Sequence, residues 1–227
     1  MSYRTSMCGR FIQALELDDY ANFFGASIIK TEALKPSYNV APTDQVYGLV
    51  ENEGERMIGT FKWGLIPHYS KDRKTIHINA RVETIDSKPA FRDSFARRRC
   101  LIPADGFYEW ERRPDDTKQP YFISLDSGLM AFAGLWTRWR DPDTDERVVT
   151  CTVITTKADP SIEAIHDRMP VSLNPKLWED WLDSDQRDTD TALQILDANE
   201  SGSIQFRPVP TLVNSVRNNG PELLATY

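Results

Sequence analysis

The chain has only three cysteines among 227 residues (Cys8, Cys100 and Cys151), an odd number at wide spacing. That excludes a disulfide framework and predicts reduced thiols in a cytoplasmic protein. These cysteines and the three histidines form no CxxC or HxxxH pair, so no metal site or cofactor is expected. No apolar run approaches the roughly 18 residues of a membrane-spanning helix. The first eight residues lack the apolar stretch of a secretion signal. Glycine is sparse, and neither a Gly-rich phosphate loop nor a GxSxG elbow occurs. Repeats, low-complexity tracts and Gly/Ser linkers are also missing, which predicts one domain.

What is present is an ordinary globular composition with an uneven charge. Hydrophobic residues make up 40% and charged residues 27%, enough to build a packed core. The net charge of −7 argues against nucleic acid on its face. Residues 56–101, however, carry eleven Lys or Arg against four Asp or Glu, a local balance of +7, so the remainder sums to −14. A solvated face and a local phosphate-binding surface both fit such a segment.

Seven β-rich runs of strand length stand at residues 46–50, 57–61, 100–103, 107–110, 121–125, 129–135 and 148–155. Helical spacing is weaker: it marks 13–24, 89–97, 178–182 and 189–198, and Asp159-Pro160 predicts a short helix ending at His166. With few helices between the strands, parallel winding is not expected. The fold class is α+β, a single domain with a curved, mostly antiparallel, barrel-like sheet flanked by short helices. Loops are expected at residues 35–43, 112–119 and 140–146.

One further strand, residues 75–84, alternates Ile76, Ile78, Ala80 and Val82 with His77, Asn79, Arg81 and Glu83. Period two puts the polar set on one face, which is either a solvent row or a binding face. Glu109 lies between Tyr108 and Trp110 and shares a face with Phe107. If buried there, its pKa rises and it suits a general acid; on an edge strand it is an ordinary surface carboxylate. His166 stands where a helix gives way to an extended segment, a common place for functional residues, although a lone histidine is more often structural. Cys100 and Cys151 fall in apolar strand patterns and read as inert core thiols. Cys8 differs, because Gly9 gives it access and Arg10 favours its thiolate.

Six motifs then follow in order. They are Met7-Cys8-Gly9-Arg10-Phe11, Tyr38-Asn39-Val40-Ala41-Pro42, Trp63-Gly64-Leu65-Ile66-Pro67 and Asn79-Ala80-Arg81-Val82-Glu83-Thr84, then Arg99 through Trp110, and Ile165-His166-Asp167-Arg168-Met169-Pro170. Together with the segment from Val213 to Leu223 they span nearly the whole chain. In these the sequence resembles the SRAP family, the SOS response-associated peptidases or abasic-site processing proteins.

That resemblance implies a covalent crosslink to abasic sites in single-stranded DNA, made by Cys8 as an N-terminal residue, with AP-lyase and self-cleaving activity as further implications. The chemistry suits the residue, since an α-amine with a reference pKa of about 8 is partly neutral at pH 7. It can form an imine with the sugar aldehyde, and the thiol can then close a thiazolidine. By the same resemblance Glu109 is the acid/base, His166 positions the sugar and moves protons, and Asn79 orients the open sugar. Arg10 and Arg81 hold phosphates, and Asn39, Pro42 and Arg168 join the DNA contacts. Trp63 either stacks on a base or is a core tryptophan.

The six residues before Met7 depart from the family's Met-Cys start, and all of residues 1–7 must be lost for the Cys8 nitrogen to react. They are read as a leader, removed or mis-assigned, before an SRAP-like domain over 8–227. The expected partner is single-stranded DNA with abasic sites, met as a monomer in the cytoplasm near the nucleoid. A cysteine peptidase using Cys8 and His166, and a non-covalent single-strand DNA-binding module, are the competing readings.

Overall fold

The computed structural model describes residues 8–226, and the leader expected over residues 1–7 lies outside the described residues. The strands are β1 (Phe11–Gln13), β2 (Ile28–Ile29), β3 (Ser37–Val40), β4 (Gln45–Asn52), β5 (Glu55–Trp63), β6 (Asn79–Arg81) and β7 (Arg99–Ala104). They continue with β8 (Gly106–Arg112), β9 (Lys118–Leu125), β10 (Met130–Arg140), β11 (Arg147–Lys157), β12 (Arg168–Pro170) and β13 (Ile204–Pro208). The helices are short: α1 (Leu17–Phe24), α2 (Arg92–Arg97), α3 (Trp178–Leu182) and α4 (Thr189–Asp197).

Strands β5, β4, β7, β10 and β11 form a closed ring. The first four pairings are antiparallel, and β11 returns to β5 in parallel, with Thr150 opposite Lys62 and Cys151 opposite Trp63. Closure removes the exposed edges that an open sheet would leave. A second sheet, ordered β13-β9-β8-β1-β3, packs against the barrel. The fold is therefore α+β with a mostly antiparallel barrel, and no helix among the described residues is long and apolar enough to cross a membrane.

Successive side chains of each strand point to opposite faces, which sorts the core into layers. Cys100, Ile102, Phe132, Cys151, Val153 and Trp63 fill the interior together with Phe11 and Phe107 of the second sheet. Their neighbours Leu101, Ala133, Leu135 and Ile154 point outward, against Phe95, Trp178 and Trp181 of the helical layer. Each large side chain buried this way contributes about 1.5–3 kcal/mol. Interior space is tight. A Cβ at Gly48 would stand 2.3 Å from the Phe61 ring, and one at Gly134 would stand 2.9 Å from Cys100 Sγ. Those two positions are glycine because aromatic and thiol neighbours occupy the room a methyl group needs.

Helix α1 shows the sequence logic of the outer layer. It buries Leu17, Tyr20, Ala21 and Phe24, one face at i, i+3, i+4 and i+7. Asp18 and Asp19 complement its N-terminal dipole, and Gly25 at φ 64° ends it in a left-handed cap.

Three expectations fail. Residues 75–84 are a strand only over β6; His77 makes an isolated bridge to Leu65, and Val82–Thr84 turns into a 3-10 helix. Tertiary pairing reaches just three residues, Asn79, Ala80 and Arg81, opposite Val153, Ile154 and Thr155 of β11. The helix expected after Asp159 is instead a run of turns, in which His166 N–H donates to Ile162 O at 3.2 Å as a single helical turn. The predicted loop 35–43 also contains strand β3, which pairs with β1.

Candidate active site

The second sheet carries the site. Strand β1 leaves Cys8 and pairs with β8, Phe11 opposite Phe107. That pairing brings the start of the described chain beside Glu109, 101 positions later, and Cys8 N–H donates to Glu109 Oε1 at 2.6 Å. Glu109 is 3% exposed and Cys8 4%, so both sit in the floor of the site. Cys8 lies at φ 46°, a left-handed conformation that side chains with a Cβ rarely adopt. It costs about 1–2 kcal/mol.

Burial controls both groups. It raises the Cys8 thiol well above its ordinary range, and the negative charge of Glu109 pushes the same way. Burial also raises the Glu109 carboxyl, opposed by the nearby His166 ring and the Cys8 N–H. The thiol is thus held as S–H, and the thiolate favoured on sequence grounds is not stabilised here. Cys8 Sγ faces Arg168 O at 3.9 Å.

His166 stands at the rim. Arg168 N–H donates to its Nδ1 at 3.1 Å, while the Asp167 carboxylate approaches the same nitrogen at 3.1 Å. These two demands conflict, since one needs a lone pair and the other a proton. The backbone N–H always carries its hydrogen, whereas the Asp167 side chain is 81% exposed and hydrated. The backbone donor takes the Nδ1 lone pair, so in the neutral ring the proton sits on Nε2.

A cleft of about 1230 Å³ opens over this floor, with Glu109, His166 and Pro42 in its lining. Its other walls include Arg10, Trp110 and Ile76. The expected residues divide accordingly. Cys8, Glu109, His166, Arg10 and Pro42 come together. Asn79 is partly buried and Arg81 exposed on β6, one strand away across β11 from the segment bearing Arg168.

Trp63, Asn39 and Arg168 do not offer surfaces for DNA. Trp63 is fully buried, its Nε1–H donates to Ile78 O at 2.9 Å, and Phe11 packs edge-on at 4.9 Å. It is the core tryptophan of the two readings. Its backbone holds the cleft wall, because Thr43 N–H donates to Trp63 O at 2.8 Å and Trp63 N–H to Asp44 O at 2.9 Å. Asn39 is 3% exposed and spends its amide on Ser215 O at 3.0 Å and Asn218 O at 2.8 Å, which pins the opposite wall. Arg10 shares that task, donating to Asn39 Oδ1 at 2.8 Å and Val213 O at 3.0 Å.

Arg168 makes a two-pronged ion pair with Glu83 and donates to Thr155 O at 2.7 Å. The pair holds the Glu83 carboxyl below its usual range. Its guanidinium therefore ties the segment bearing Asn79 and Arg81 to the strand whose backbone touches Cys8 and His166. Nothing local to Glu83 names this partner, although the alternation places it on the polar face. Trp110, Arg112 and Lys118 also line the cleft without having been expected there. The hairpin pairing of β8 with β9 is the signal that could have found the last two. Among the described residues no cluster of His, Cys, Asp or Glu is arranged to hold a metal ion.

The chain is similar to known proteins along nearly its whole length. Residues 7–216 match the family described as SOS response associated peptidase (SRAP). The chain is 41% identical over 225 residues to the abasic site processing protein YoqW of Bacillus subtilis, covering 97% of this chain and 100% of that one. It is 31% identical to the abasic site processing protein HMCES of Xenopus tropicalis, over 86% of this chain and 67% of the other. A crystal structure of a Bacteroides thetaiotaomicron protein superposes with a TM-score of 0.83 at 24% identity, covering 96% and 98% of the two chains.

Proposed function

Because this chain belongs to the SOS response associated peptidase family, we propose that it processes abasic sites in DNA by capturing them covalently through Cys8 as the first residue. The observation that carries the reading is the 2.6 Å contact between Cys8 N and Glu109 Oε1 on the floor of an open cleft. A carboxylate at that place takes a proton from an α-ammonium and leaves a neutral amine. The amine adds to the aldehyde carbon of the opened sugar, and the resulting carbinolamine needs a proton to expel water. Glu109, kept a weak acid by burial, returns it. The neutral thiol beside the same nitrogen then adds across the imine, its sulfur to carbon and its proton to nitrogen. Overall one water is lost and a five-membered thiazolidine forms.

His166 supports the sugar step. With its proton on Nε2 and Nδ1 held by the Arg168 backbone, it offers a fixed donor at the rim to the hydroxyls of an entering sugar. A free N-terminus also removes the left-handed φ of Cys8, since a first residue has no φ. If the imine loses the C2′ proton, α to the imine carbon, and expels the 3′-phosphate from the β carbon before the thiol adds, the same site cleaves the strand as a lyase. A single chain supplies all these groups, which suits a monomer acting on single-stranded DNA in the cytoplasm at the nucleoid. Release of residues 1–7 is part of this reading.

The test is incubation of the Cys8-first protein with a single-stranded oligonucleotide bearing one abasic site, without borohydride. Intact mass should equal protein plus DNA minus one water, and Cys8→Ser should lose the stable product. Equal crosslinking by a chain that keeps residues 1–7, or cleavage of protein substrates with no DNA product, would overturn it.

A further inference from the structure

The catalytic cleft does not end at Glu109. Strand β8 continues outward through Trp110 to Arg112, and β9 returns beside it with Arg112 opposite Lys118 and Trp110 opposite Pro120. Directly opposed residues of an antiparallel pair share a face, so Trp110, Arg112 and Lys118 line one side of the ribbon. All three also line the cleft. At the base of this row the Arg10 guanidinium stands 6.0 Å from the Trp110 ring centre, and Trp110 Nε1–H is fixed by Asn214 Oδ1 at 2.7 Å.

The acids of the hairpin are placed elsewhere. Glu111 is on the other face and accepts from Tyr121 O–H at 3.1 Å, and Asp115 accepts from Thr117 O–H at 2.6 Å at the tip. Only Asp116 reaches the row, 3.2 Å from Arg112 Nε, in a pair whose side chains are 72% and 80% exposed. Such a pair is weak and is readily exchanged for another anion.

We propose that Arg112 and Lys118 form a phosphate clamp on the β8–β9 hairpin, gripping the DNA strand away from the abasic sugar. This rests on the DNA-processing reading of the cleft and names a contact within it. Three residues of strand separate Glu109 from Arg112, about 10 Å. That is a reach of up to about three nucleotides at the ~3.4 Å rise of stacked bases. Phosphate displaces Asp116 from Arg112, and Trp110 between the clamp and the floor offers a ring for the intervening base. The clamp acts on association and leaves the chemical step untouched.

The experiment measures crosslinking by the Cys8-first protein as kcat/KM and as the saturated rate, at 50 and 200 mM salt. Each single-strand phosphate contact contributes about −0.7 to the slope of log affinity against log salt. The double variant Arg112→Gln, Lys118→Gln should lose about 1.4 of that slope, so the native protein falls about sevenfold more than the variant over this salt range. Its saturated rate should match the native one. Asp116→Asn, acceptable at φ 65° because Asn tolerates the left-handed region, should instead raise kcat/KM at low salt. Oligonucleotides cut back to one nucleotide on each side of the abasic site should erase both effects. A native salt slope in the double variant, or a loss confined to the saturated rate, refutes the clamp. Absence of any crosslink by the native protein refutes the parent reading instead.

Discussion

Replacing Glu109 by Gln should have opposite effects on stability in the two forms of the chain. In the form that keeps residues before Cys8, the Cys8 nitrogen is an amide and Glu109 is a buried carboxyl with a raised pKa. A raised carboxyl takes up a proton on folding. Its contribution is fully present below the unfolded value of about 4.3 and is lost as pH rises through the folded value. The loss is about 1.4 kcal/mol per pH unit in that window. The side-chain amide of the variant has no proton to lose, so Glu109→Gln should gain relative stability as pH rises above about 4.3. For a chain of this size that is roughly 3–5 °C in Tm per pH unit.

Once Cys8 is the first residue, an α-ammonium replaces the amide at the 2.6 Å contact. The carboxylate then faces a cation, and the contribution of the pair disappears as the amine deprotonates, above its reference of about 8. Glu109→Gln leaves a buried ammonium unpaired, and breaking such a pair costs about 3–5 kcal/mol. At pH 7 the variant should therefore unfold below the native protein in this form and above it in the other. Thermal unfolding from pH 5 to 9 on both forms decides the matter. The same sign in both forms would refute the placement of the Cys8 nitrogen against Glu109.

Glu109→Gln should also slow crosslinking by about 10²–10⁴-fold, the usual size of a general acid–base contribution, with DNA affinity unchanged in a filter-binding assay. Arg168→Ala should lower stability by about 1–3 kcal/mol in denaturant titration, between the values for exposed and buried pairs, since the Glu83 side chain is 44% exposed. The depressed Glu83 carboxyl makes its share of that stability present above about pH 4 and lost below it. Trp63→Ala should cost about 3–5 kcal/mol as a cavity mutation, and any fall in DNA binding should track the unfolded fraction rather than precede it. Gly134→Ala should cost about 1–3 kcal/mol by forcing Cys100 aside, seen as a lower urea midpoint at constant slope.

Much of the molecule is legible in the chain alone. β-rich runs at residues 100–103, 129–135 and 148–155 mark β7, β10 and β11, because strands covered on both faces are apolar nearly all along their length. Strand period two places Glu109 with Phe107 on one face, and the fold shows that face to be buried. Ordered motifs identify the family, and with it Cys8, Glu109 and His166. Long-range pairing settles what local pattern cannot carry. Closure through parallel β11–β5 pairing joins residues far apart in the chain. Strand β6 ends after three residues because its register with β11 gives out. Trp63, Asn39 and Arg168 look alike in sequence as exposed-type or stacking-type contacts. Only the fold shows them buried, with their N–H groups taken by Ile78, Ser215 and Glu83. Nor can a sequence say what state a thiol is in. Burial beside Glu109, which keeps the Cys8 sulfur protonated, exists only once β1 has paired with β8.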